Sequence, residues 1–123
     1  MGEKAKKPML ATGKIVPDYR PLIRYLELAN AEQRDKVLPK SSDIELVRTL
    51  LERGYETLEE VLNEIIQVVK ERFDPDLSCR AIKEILNIEL EGDEAVRYLS
   101  KLLAGWIIEM AEQLGAVRLK SMW

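Results

Sequence analysis

An all-α fold, a compact bundle of about five helices, is what this sequence predicts, and three observations carry that expectation. Apolar residues recur at helical spacing almost without interruption from Asp18 onward. The breaks between these stretches hold the chemistry that ends and restarts helices: Gly54, Asp74-Pro75, Gly92-Asp93 and Gly115. A chain of 123 residues with 46% hydrophobic and 33% charged side chains also sits within the ordinary range of one globular domain.

Residues 1–17 lack the helical period and carry Lys4, Lys6, Lys7, Pro8, Gly13, Lys14 and Pro17, which reads as an extended basic arm. Its apolar pieces Met9-Leu10 and Ile15-Val16 are able to pair as strand. From Asp18 to about Val37 a single helix is expected, with Pro21 in its first turn, Leu22, Tyr25, Leu26, Ala29 and Gln33 on one face, and Pro39 ending it. Ser41-Ser42-Asp43 then offers capping oxygens to a short helix that uses Ile44, Val47, Leu50 and Leu51 and stops at Gly54. Thr57 and Glu60 form a capping-box pattern ahead of the clearest amphipathic stretch, in which Leu58, Val61, Leu62, Ile65, Ile66, Val68, Val69 and Phe73 share a side. Asp74-Pro75 reads as an N-cap followed by a first-turn proline, opening a helix with Leu77, Ala81, Ile82, Ile85 and Leu86 inward and ending near Glu89. The last helix runs from Gly92-Asp93 to about Leu114, roughly 33 Å at 1.5 Å per residue, and Gly115 stops it.

In that long helix Ala95, Val96, Leu99, Leu103, Trp106, Ile107, Met110 and Leu114 make the core-facing arc, which leaves Ile108 among polar residues beside Ala104 and Gly105. A mid-helix glycine costs about 1 kcal/mol relative to alanine, so Gly105 reads as a flat place where a second helix approaches, one of this chain as readily as a partner's. Residues 116–123 form a short strand-like tail, with Val117 and Leu119 alternating with basic residues and Trp123 adding an aromatic. A lone strand needs a mate, and Ile15-Val16 of the same or another copy supplies one, giving a small β-pairing between the termini. The expected oligomer or partner contacts are therefore Ala104, Gly105, Ile108, Ile15, Val16, Val117, Leu119 and Trp123. On this expectation Ile108→Glu yields a folded monomer.

The composition removes several functions. Without histidine the chain lacks the usual general acid and base and the commonest metal ligand. Its one cysteine, Cys79, cannot form an internal disulfide or a multi-thiolate site, and is expected to be a small, partly buried residue, although Arg80 beside it is of the kind that lowers a thiol pKa. Glu109 borders the apolar arc and is expected to be a rim carboxylate paired with Arg or Lys. No Gly-rich phosphate loop follows a strand. No catalytic residue, cofactor, metal or small-molecule substrate is expected. The Lys-rich start is not followed by an apolar stretch of signal-peptide length, and Leu102 to Ile108, the longest apolar run, is too short to span a bilayer; a cytoplasmic protein is expected. Three Asn, three Gln and abundant Glu, Lys and Arg resemble the composition of heat-adapted proteins.

Charge is unevenly placed. Residues 1–40 carry nine Lys/Arg against five Asp/Glu, whereas 41–123 carry ten against seventeen. Two functions follow as expectations. The leading one is a non-catalytic small subunit that self-assembles or docks into a larger complex. The alternative is a nucleic-acid-associated structural subunit, with Lys14, Arg20, Arg24, Arg34 and Lys36 meeting phosphates near Tyr19. Base reading by the long helix is not expected, because its wet side offers only Arg97 and Lys101 among acidic residues.

Overall fold

The computed structural model describes residues 18–115. The arm, the tail and the strand pairing expected between them lie outside that range. Within it the chain is all-α, with no strand among the described residues: α1 (Arg20–Leu28), α2 (Ala31–Val37), α3 (Ser41–Glu52), α4 (Leu58–Val69), a 3-10 turn (Lys70–Arg72), α5 (Pro75–Leu86) and α6 (Gly92–Gln113). The helix count is six because the single helix expected over 18–37 is two. Ala29 is extended, and Asn30 starts α2 with a capping box: its side chain accepts from Gln33 N–H at 2.8 Å while Gln33 Oε1 accepts from Asn30 N–H at 3.2 Å. The Arg34 guanidinium donates to Ala29 O at 2.6 Å, which satisfies a carbonyl at the C-terminal end of α1.

The remaining boundaries follow local chemistry. Thr57 Oγ1 accepts from Glu60 N–H at 3.1 Å, and the return bond to Thr57 N–H holds the Glu60 carboxyl below its usual range. Asp74 caps α5 with Pro75 at its first position, and α5 ends at Asn87, which is left-handed at φ 57°. Gly54 and Gly115 follow their helices at φ +96° and +81°. Gly92 has a different reason to be glycine: a Cβ there would stand 3.0 Å from Pro75 Cβ, tighter than an ordinary contact, so a larger residue would push the starts of α5 and α6 slightly apart.

The centre of the bundle is α6, which packs against α1, α3, α4, α5 and the 3-10 turn. Its neighbours supply Leu22, Tyr25, Val47, Ile65, Val69, Ala81 and Ile82 to one continuous core with Leu99, Leu103 and Ile107. Each large aliphatic side chain so buried contributes roughly 1.5–3 kcal/mol. Tyr25 locks α1 to the start of α5: its hydroxyl accepts from Asp74 N–H at 3.1 Å and its ring meets Phe73 edge-on at 5.0 Å. Burial, with the Asp74 carboxylate nearby, raises the Tyr25 pKa, so the hydroxyl stays neutral there.

One polar tie crosses the core. Asp43 was expected only as a cap, and its Oδ2 does accept from Lys40 N–H at 2.8 Å, from within the first turn of α3; Ser41 and Ser42 are already helical. The same carboxylate receives Arg72 in a two-pronged pair, Nη2 to Oδ1 at 2.5 Å and Nη1 to Oδ2 at 3.1 Å. The Asp43 side chain is 3% exposed and that of Arg72 17%. Among the described residues no helix is long and apolar enough to cross a membrane.

Candidate interaction surface

The structure relocates the surface that α6 was expected to offer. Ala104, Gly105 and Ile108 are all buried, Ile108 at 1% exposure, so the reading of these three as an exposed contact patch is corrected. The physical reason is the central position of α6. A helix touched by four others and a turn buries most of its circumference, and the rule of one wet face no longer applies. The helix has instead rotated its half-buried side elsewhere: Trp106 and Met110, expected in the core arc, are only partly buried, and Leu114 is 66% exposed. Ile15, Val16, Val117, Leu119, Trp123 and Lys14 fall outside the described residues.

The expected phosphate-binding side chains are largely committed to their own chain. Arg20 grips Asp18, with Nη2 to Oδ2 at 3.0 Å, and these bonds hold the Asp18 carboxyl below its usual range. Arg24 pairs with Glu84 across α1 and α5, Nε to Oε1 at 2.8 Å, and with Glu27 at 3.2 Å. Arg34 serves the α1 carbonyl described above. Lys36 is exposed on α2. Cys79 is partly buried, as expected, but its thiol is not activated by Arg80. Burial first, then Asp76 and Glu91, pushes its pKa up, and Sγ donates to Leu90 O at 3.3 Å.

What the bundle does present is an open groove of about 380 Å³ between α1 and the last two turns of α6. Its α1 side is Leu22, Ile23 and Leu26 with Tyr19 just ahead of the helix; its α6 side is Trp106, Glu109, Met110 and Gln113. Ile23 is 50% exposed on its edge. At one end the Tyr19 ring meets Trp106 edge-on at 6.0 Å, and the Tyr19 hydroxyl donates to Glu109 Oε1 at 3.3 Å. Glu109 is thus a rim carboxylate as expected, but its partner is a tyrosine rather than Arg or Lys. Burial and then the Glu109 charge push the Tyr19 pKa up to about 12. The sign for stability is direct: unfolded tyrosine ionises near 10, so folding loses support as pH rises from about 10 to about 12. Glu109→Gln removes the neighbouring charge but not the burial. Ultraviolet titration is expected to show one tyrosine moving to lower pKa while remaining above 10; an unmoved titration would mean that the carboxylate does not act on Tyr19.

No family model, curated protein or solved structure matches the chain.

A helical wheel divides residues into core and surface, whereas the groove joins a core residue, Leu22, to the half-exposed Ile23 and the partly buried Trp106 and Met110. Ile23 stands off the Leu22, Tyr25 and Leu26 face, and that displacement was the available signal. The groove also lies where both flanks begin, since Tyr19 follows residue 18 and Gln113 precedes Gly115. Residues 18–115 hold thirteen Lys/Arg and 21 Asp/Glu, a net charge of −8, whereas residues 1–17 and 116–123 together hold six against one, a net of +5.

Proposed function

We propose that the protein is a non-catalytic helical subunit that assembles with copies of itself through the groove between α1 and α6. The observation that supports this is the coincidence of an open apolar groove, with Ile23 half exposed on its edge, and the roots of two flanks whose charge is opposite to that of the helical body. An apolar floor with a polar rim is the kind of surface a partner covers, and opposite charge on body and flanks draws two copies together. Nucleic-acid binding by the basic third has less support, because Arg20, Arg24 and Arg34 already have acceptors within the chain.

Light scattering on the whole chain tests the reading. The wild type is expected to have the mass of an oligomer, and Ile23→Glu to be a monomer with unchanged helical content, because this side chain is half in water already. A monomeric wild type, or an Ile23→Glu protein that keeps the wild-type mass, would overturn it.

A further inference from the structure

The assembly reading leaves open what enters the groove. We infer that it is residues 116–123 of a second copy, exchanged reciprocally between two molecules; this rests on the groove being the self-assembly surface.

The chemistry of the segment fits the place. In Ala116-Val-Arg-Leu-Lys-Ser-Met-Trp123, Val117, Leu119 and Trp123 fall on one side of an extended chain, and Arg118 and Lys120 on the other. The first set suits a floor made by Leu22, Leu26 and Met110. The second set meets an acidic body, with Glu109 on the groove's own rim; hydrogen-bonding capacity remains on that carboxylate beyond the bond from Tyr19. The segment carries no acidic residue to oppose this.

Position makes the exchange reciprocal. Gln113 lines the groove, and Gly115, at φ +81°, turns the chain off the helix two residues later. When two copies face each other groove to groove about a two-fold axis, each segment starts beside its partner's groove. Eight extended residues reach about 26 Å at ~3.3 Å each, against about 11 Å of α6 from Trp106 to Gln113 at ~1.5 Å per residue. Leu114, 66% exposed just beyond Gln113 and outside the groove lining, favours the second copy over the chain's own segment: a segment laid along the floor leaves it in water, whereas the body of a second molecule covers it as well.

The test uses the whole chain with Cys79→Ser, Ile23→Cys and Leu119→Cys, oxidised and run without reductant. Exchange is expected to give a covalent dimer that reductant returns to monomer, while the same chain with Val68→Cys, on α4, in place of Ile23→Cys stays monomeric. A disulfide closed within one chain would assign the segment to its own groove and overturn the exchange. Free thiols, or equal cross-linking in the Val68 control, would overturn the seat itself. The wild-type molar mass separates the two levels. An oligomeric wild type with free thiols in the variant removes only this inference, and a monomeric wild type removes the assembly reading beneath it.

Discussion

Ile108→Glu is expected to leave no stably folded protein. The side chain is 1% exposed and part of the continuous core, so the substitution removes a buried aliphatic group and puts a carboxylate in its place. Loss of the apolar contact costs roughly 2–5 kcal/mol in comparable truncations, and an unpaired buried charge adds several more unless it neutralises. A small domain has only about 5–15 kcal/mol to lose. Circular dichroism and thermal melting check this. Cooperative melting near the wild-type temperature would show that Ile108 has access to water, and would restore the contact role that the sequence pattern assigns to it. The comparison with Ile23→Glu, the same chemical change at a half-exposed position, separates loss of fold from loss of assembly.

Arg72→Met is expected to cost about 3–5 kcal/mol, the usual penalty for stranding one member of a buried ion pair. Arg72 is the cationic partner of a carboxylate that is 3% exposed, and the remaining bond to Asp43, from Lys40 N–H, serves the α3 cap rather than balancing its charge. With about 4 °C per kcal/mol as a lower figure for a domain of this size, the midpoint of melting falls by about 12 °C or more. Adding Asp43→Asn to the same protein is expected to return part of the loss, because the stranded charge is then gone. A drop of only one or two degrees for Arg72→Met would mean that the pair is well solvated. By contrast the Arg24–Glu84 pair between α1 and α5, with side chains 32% and 42% exposed, is screened by water and contributes little.

These two predictions mark where the sequence was legible and where it was not. Helix ends governed by neighbours in the chain could be read directly: Thr57 with Glu60, Asp74 with Pro75, and the glycines at 54 and 115. The break at Ala29 was readable by the same logic, since Asn30 and Gln33 repeat the spacing of Thr57 and Glu60, but the apolar period runs through it and masks the cap. Long-range pairings gave no such signal. Nothing within reach of Asp43 in sequence announces Arg72, 29 residues away. The wheel of α6 misled for a related reason: periodicity reports one apolar face, and a helix enclosed on several sides has none to report. Ala104 and Gly105 lie in the core rather than on a free face.

α2 differs from every other helix in how little holds it down. It buries a single residue, Val37, and its other ties include its capping box, the Arg34 bonds to the end of α1, a bond from Lys40 Nζ to Asp35 O and a light contact with the 3-10 turn. Its amides therefore belong to the part of the molecule that opens and recloses many times before the whole unfolds. A change in the length of α2 is expected to reach the five-helix body around α6 only through Val37, which must keep its place in the core.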